Sequence, residues 1–147
     1  MAIDEWANRV FVLSGGDLPT RTTRTQGTVT MLDATSGRVL RTLARDSYPE
    51  RAVVDARHGR VFIGNAGAGE LARGTVSVRD AASGRLLQTL PGGSYPWALA
   101  LDARTSHPFI TASSLLNAGS GARLWMRDAG TGALLRTADA LTLNKEP

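Results

Sequence analysis

The chain has 147 residues, of which 42% are hydrophobic and 20% are charged, and its 17 Lys and Arg residues outnumber its 13 Asp and Glu residues to give a net charge of +4. This length corresponds to one modest domain, and the composition excludes wholesale disorder and a collagen-like chain. The absence of cysteine excludes disulfides, thiol nucleophiles and cysteine-ligated metal sites. The longest apolar stretches, such as residues 98–101, are far shorter than the roughly 20 residues that cross a bilayer.

The N-terminal residues lack the pattern of a signal peptide. Asp4 and Glu5 stand where a cationic region would be, and no apolar segment with a small-residue cleavage site follows them. We therefore expect either a cytosolic chain or a chain whose true start lies upstream.

The positive charge does not predict a nucleic-acid site. All but one of the basic residues are arginines, and only Arg21 and Arg24 lie close together outside regular turns. A groove for nucleic acid needs a continuous basic stripe with aromatic side chains for stacking. Because acidic residues lie among these arginines in the sequence, we expect no nucleic-acid partner.

One unit of sequence occurs three times. The run GTVTMLDATSGRVLRTL begins at Gly27 and recurs as GTVSVRDAASGRLLQTL at Gly74 and as ARLWMRDAGTGALLRTA at Ala122, at spacings of 47 and 48 residues. A second run, SYPERAVVDARHGRVFI, begins at Ser47 and recurs from Ser94 as SYPWALALDARTSHPFI. Such a period is typical of repeat folds. The predicted repeats span about 1–45, 46–92 and 93–141, and a polar tail spans 142–147.

Each repeat contains four predicted strands, named A to D in chain order. In the second repeat, strand A is RAVVD, strand B is RVFIG, strand C is GTVSVRD and strand D is RLLQTL. Apolar positions alternate with polar ones, as Val76 and Val78 do in strand C, and they nowhere recur at helical spacing over ten or more positions. The sequence therefore predicts an all-β chain with about three four-stranded antiparallel units.

The most specific local pattern is D-x-x-[ST]-G between strands C and D of every repeat. The Asp carboxylate accepts hydrogen bonds from the backbone N–H groups that follow it, and the glycine takes the positive φ that a tight hairpin needs. Each turn supplies one carboxylate, whereas calcium prefers six or more oxygen ligands, so we predict a structural role. The turn residues are Asp33, Gly37, Asp80, Gly84, Asp128 and Gly132.

A period of about 40 to 50 residues with four antiparallel strands is typical of a β-propeller blade. The run GTVSVRDAASGRLLQTL resembles the last two strands of propeller repeats, and SYP before strand A with RVFI in strand B is similar to the YVTN family of β-propeller repeats. WD repeats are the second resemblance, but the expected Trp-Asp is replaced by Arg79-Asp80 and Arg127-Asp128. The YVTN resemblance covers all three repeats and implies a partial or oligomer-completed propeller, in a secreted or cell-surface setting.

The connections between strands differ on the two faces of such a blade. In an up-and-down sheet, the long B-to-C connections share one face with the D-to-A connections, and the C-to-D turns lie on the other. Because binding residues concentrate on loops of a rigid scaffold, we expect a ligand or partner surface on the B-to-C and D-to-A face. Packing between blades is the alternative role for its aromatic residues. The candidate residues are Arg21, Arg24, Tyr48, Arg51, Arg73, Tyr95 and Trp97.

The sequence carries no motif for catalysis, a metal or a cofactor. The two histidines, His58 and His107, both fall between strands A and B and outside any metal-ligand pattern. There is no G-x-S-x-G elbow, and the glycine-rich run at 64–70 lacks the Lys-Ser/Thr ending of a phosphate loop. We therefore expect no catalytic residue, metal or cofactor in this chain.

Three functional interpretations stay open. The first is a non-catalytic propeller segment that binds a protein or cell-surface ligand, as a binding or scaffold module. The second is a fragment of an enzyme or electron-transfer subunit, because propellers similar to the YVTN type also occur in dehydrogenase subunits and lactonases. The third is a truncated or misassigned reading frame without independent function.

The number of repeats leads to a prediction about assembly. Known propellers close with about four to eight blades, so a stack of three exposes the apolar faces of its outer sheets. We expect either self-association, with two chains forming six blades, or poor solubility. Missing blades outside this chain are the other way to complete the ring.

Overall fold

The computed structural model describes residues 1–15, 27–46, 48–67, 73–93, 96–112 and 123–139. These residues form twelve β-strands and one short 3-10 helix, Ala56–His58. The first sheet contains β1 (Ala2–Asp4), β2 (Arg9–Ser14), β3 (Gly27–Asp33) and β4 (Val39–Asp46). The second contains β5 (Pro49–Asp55), β6 (Arg60–Asn65), β7 (Gly74–Asp80) and β8 (Leu86–Gly93). The third contains β9 (Pro96–Asp102), β10 (His107–Ala112), β11 (Arg123–Arg127) and β12 (Leu134–Asp139).

The predicted fold class, an all-β chain with three four-stranded antiparallel sheets, is confirmed. Within each sheet the strands lie side by side in chain order, so that strands A to D of a repeat form one meander. The first strands of the three sheets are neighbours, because β5 contacts both β1 and β9. Successive blades of a β-propeller have this arrangement. Among the described residues, no helix is long and apolar enough to span a membrane.

Two apolar layers fill the spaces between the sheets. The buried residues between the first and second sheets are Phe11, Val29, Met31, Leu43, Val61, Ile63 and Ala81. Those between the second and third sheets are Phe62, Val76, Val78, Leu90, Ile110 and Ala129. Successive side chains of a strand point to opposite faces, so β6 directs Val61 and Ile63 at one neighbour and Phe62 at the other. The middle sheet is therefore covered on both faces.

The two runs of sequence that recur in phase meet between neighbouring sheets. A Cβ atom on Gly27, the first residue of β3, would collide with the ring of Pro49 at the start of β5. A Cβ atom on Gly74 would collide in the same way with Pro96 at the start of β9. The glycine of the GTV run therefore allows the close approach of the proline in the following SYP run.

Side-chain to backbone hydrogen bonds join the sheets at the C-to-D turns. Arg41 Nη1 in β4 donates to the carbonyl oxygen of Ser83 in the turn of the second sheet, at 3.0 Å. Gln88 occupies the same repeat position in β8, and its Nε2 donates to the carbonyl oxygen of Thr131 in the turn of the third sheet, at 3.2 Å. The C-to-D turns of the second and third sheets thus rest on the last strand of the preceding sheet.

Substitutions of the three turn glycines test the packing of the turns on the preceding sheet. Their φ angles are alike, at 69° for Gly37, 72° for Gly84 and 75° for Gly132. Open space surrounds a Cβ atom on Gly37, whereas one on Gly84 would collide with Leu43 and one on Gly132 would lie 2.7 Å from Leu90 Cδ2. Positive φ alone costs an alanine about 1 to 2 kcal/mol, so Gly37→Ala should lower the free energy of unfolding by that amount.

We predict larger losses for Gly84→Ala and Gly132→Ala, because a buried leucine of the preceding sheet must also move. Urea unfolding followed by circular dichroism measures all three variants. Equal losses in the three would contradict packing of the turns on the preceding sheet.

Candidate ligand-binding surface

The C-to-D turns are closed by their aspartates. In every turn, one carboxylate oxygen accepts hydrogen bonds from both the backbone N–H and the hydroxyl of the residue three positions later. The distances are 2.6 to 2.8 Å in the pairs Asp33–Ser36, Asp80–Ser83 and Asp128–Thr131. The backbone N–H of each turn glycine also donates to the aspartate carbonyl oxygen, as Gly37 does to Asp33 at 2.9 Å. These carboxylates therefore stabilise the C-to-D hairpins.

A second set of aspartates closes the A-to-B turns. Asp4 Oδ1 accepts from the N–H groups of Trp6 and Ala7, both at 3.0 Å, and Asp102 Oδ1 accepts from that of Arg104 at 2.9 Å. An aspartate ends strand A of every repeat. The sequence pattern predicts it as the end of a strand but does not predict its hydrogen bonds to the turn that follows.

One residue of each A-to-B turn has a left-handed backbone conformation, and its residue type makes the turn hard to predict from the sequence. Gly59 has φ of 60° there, and Asn8 and Ser106 have φ of 54° and 58° at the equivalent positions. Glycine is the strongest sequence marker of such a position, asparagine is a weaker one, and serine is not one. The left-handed backbone geometry is thus present in all three repeats, whereas the glycine is present in one.

Hydrogen bonding lowers the pKa of four turn aspartates below the ordinary value of 3.8. The largest cause is the backbone N–H of Ser36 for Asp33 and the hydroxyl of Ser83 for Asp80. Donors of this kind stabilise the charged carboxylate relative to the protonated one. The other two aspartates are Asp102 and Asp128, next to Thr105 and Thr131.

These shifts predict acid sensitivity. A carboxyl whose pKa is lower in the folded chain stabilises the fold above the unfolded pKa, and that contribution is lost as the pH falls through the folded pKa. We therefore expect the free energy of unfolding to decrease as the pH falls below about 4. Asp80→Asn should lower stability at neutral pH and weaken this decrease.

Glu5→Gln is the matched control, because Glu5 is exposed and takes part in no described hydrogen bond. Chemical unfolding of the three proteins over a pH series measures the effect. An unchanged pH dependence in Asp80→Asn would contradict the role of the carboxylate.

One cluster of catalytic residue types forms where the A-to-B turns of the second and third sheets meet. Ser106 Oγ lies 2.6 Å from His58 Nδ1, and Asp55 Oδ2 lies 3.0 Å from the same nitrogen. In a hydrolase triad, serine and aspartate bond to opposite nitrogens of the ring. Because both contact Nδ1 here, the aspartate cannot orient the ring while that nitrogen takes the serine proton. The cluster instead links two neighbouring sheets.

The second histidine forms a looser contact. His107 Nε2 lies 3.8 Å from Asp128 Oδ2, beside the C-to-D turn of the same sheet. Across the described ranges, no group of three or more histidine and acidic side chains is placed to hold a metal ion.

The predicted contact surface is described only in part. Tyr48 precedes β5, and its hydroxyl oxygen is buried, so this group is not presented to solvent. Arg51 in β5 is exposed, and its Nη1 donates to the carbonyl oxygen of Glu50 at 3.0 Å. Arg73 is exposed directly before β7. The predicted residues Arg21, Arg24 and Tyr95 lie outside the described residues, as does the side chain of Trp97 in β9.

A cleft of about 520 Å³ lies between the second and third sheets. Arg73 stands at the start of strand C and Gly93 at the end of strand D, so the cleft reaches the predicted B-to-C and D-to-A face. Among the described residues, its lining consists of Arg73, Gly74, Thr75, Thr89, Leu90, Pro91, Gly93, Trp125 and Arg127. Of the predicted surface residues that the structure describes, Arg73 is the one that lines this cleft.

The lining combines apolar surface with positive charge. Leu90, Pro91 and Trp125 supply the apolar wall, and Arg73 and Arg127 supply two guanidinium groups. None of the described lining residues is acidic. Arg127 Nη1 donates to the carbonyl oxygen of Gly132 at 2.8 Å, which holds that side chain in place. Arg73 has no hydrogen-bond or ion-pair partner within the described part of the chain.

Comparison with protein families gives no match to this chain, and comparison with curated proteins gives none either.

Proposed function

We propose that this chain is a non-catalytic binding module of the β-propeller type, which binds a protein partner through its B-to-C and D-to-A face. The observation that carries the proposal is the cleft at Arg73. It opens on the face that the repeat pattern predicts for ligand contact. It combines an apolar wall with the Arg73 guanidinium, which has no partner among the residues that the structure describes. The SYP and RVFI motifs support a YVTN-type propeller as the scaffold.

The chemistry of the cleft indicates the class of ligand. Arginine binds carboxylates through strong charge-assisted hydrogen bonds. Tryptophan and leucine next to it favour an apolar or aromatic group beside that carboxylate. Tryptophan and arginine are also the residues that dominate binding energy in protein interfaces. The expected ligand is therefore an acidic segment of a protein with a large apolar side chain next to the acid.

A peptide experiment tests this proposal. The probes are capped tetrapeptides with one Asp or Glu beside Leu, Phe or Trp, and a second set with Lys in place of the acid. We expect the acidic set to shift the backbone amide NMR signals of Gly74, Thr75 and Leu90. Arg73→Glu should weaken binding about tenfold or more, since a hydrogen bond to a charged group contributes about 1.5 to 3 kcal/mol.

Arg57→Glu is the matched control, because Arg57 is exposed in the A-to-B turn, on the opposite face, and undergoes the same change of charge. It should leave binding unchanged. Equal shifts from the acidic and the basic peptides, or none from either, would contradict the proposed site.

A further inference from the structure

The outer face of the first sheet carries exposed apolar side chains in β1 and β2. In β2, Phe11 and Leu13 pack toward the second sheet, so Val10 and Val12 face away from it. Ile3, paired with Val10, is 53% exposed, and Val12 is 36% exposed.

This outer face repeats a face that is buried inside the chain. Val10 and Val12 occupy the repeat positions of Val61 and Ile63 in strand B. Val61 and Ile63 are 0% exposed, because they pack the second sheet onto the first. The first sheet therefore presents to solvent the surface that the second sheet uses to dock on its predecessor.

The outer face of the third sheet repeats the complementary surface. Phe109, Leu124 and Met126 lie together on it, since Phe109 pairs with Met126 and Leu124 with Thr111. They occupy the repeat positions of residues that receive the following sheet and are fully or almost fully buried, and here they are only half-buried. The equivalent buried residues are Phe11, Val29 and Met31 in the first sheet and Phe62, Val76 and Val78 in the second.

The residues that form polar contacts between sheets inside the chain have equivalents at these two outer faces, where the contacts are not formed. Arg136 in β12 occupies the position of Arg41 and Gln88, is exposed, and has no partner among the described residues. Ser36 occupies the position of Ser83, whose carbonyl oxygen receives the hydrogen bond of Arg41. Beside it, the space around Gly37 that a preceding strand would fill is open.

We propose that a second copy of this chain docks head to tail, with the outer face of the third sheet of one copy on the outer face of the first sheet of the other. The interface continues the register of the two interfaces inside the chain, with Arg136 donating to the partner's turn at Ser36. Formed twice, it closes a ring, as a heterologous contact does when its rotation closes. Known propellers contain about four to eight blades, and six is the multiple of three within that range.

Light scattering on the 147-residue chain tests the proposal. We expect a mass of twice 15.5 kDa. Val12→Asp on the first sheet and Met126→Asp on the third should each give a monomer, because in either homogeneous protein both interfaces carry the charge. Mixing the two variants should restore a two-chain species, since one of its two interfaces is then unmodified.

Leu86→Asp is the control for loss of exposed apolar surface. Leu86 is 47% exposed at the start of β8 in the middle sheet, outside both docking faces, so this variant should keep the mass of the dimer. Circular dichroism shows whether each variant keeps its sheet content.

A wild-type chain that stays monomeric overturns the proposal. So does a larger or open-ended assembly, which rules out closure by two copies. Folded single variants that fail to associate on mixing overturn head-to-tail docking. A dimer that survives either single substitution overturns it too, because pairing of like faces leaves one face unmodified. Binding of acidic peptides by a monomer would leave the proposed function intact, so the two proposals fail separately.

Discussion

The structure depends on the packing of each sheet against the next through a repeated register. A four-stranded sheet satisfies most of its own backbone hydrogen bonds, but its apolar faces stay in water unless another sheet covers them. In the middle sheet, Val61 and Ile63 are buried against the first sheet, and Phe62 is buried against the third. Alternation along one strand thus connects three sheets.

Other repeated features follow from that contact. A side chain on Gly27 or Gly74 would collide with a proline of the next sheet. Arg41 and Gln88 reach across to the next C-to-D turn. The cleft at Arg73 has the same origin, since it lies between two successive sheets where strands C and D meet their loops. A site made in this way belongs to a pair of sheets and to no single repeat.

Much of the fold was accessible from the sequence, because the repeat aligns three versions of each strand and shows its alternation. The closed A-to-B turns were not, since Asn8 and Ser106 adopt the left-handed geometry that Gly59 would suggest in only one copy. Of the residues described as lining the cleft, only Arg73 was predicted from the sequence. The cleft's other charged residue, Arg127, and its aromatic wall, Trp125, belong to β11, and their exposure depends on the spacing between β8 and β11. Strand patterns do not encode that spacing.

The most direct test of sheet-on-sheet packing is native-state hydrogen exchange in the Leu43→Ala variant. Leu43 in β4 is 4% exposed and packs in the layer between the first and second sheets. If that layer stabilises both sheets, amides of Val61 and Ile63 in β6 should exchange faster in the variant, together with those of β3 and β4. Faster exchange confined to β3 and β4 would show that the second sheet is stable without the first, and would contradict this account.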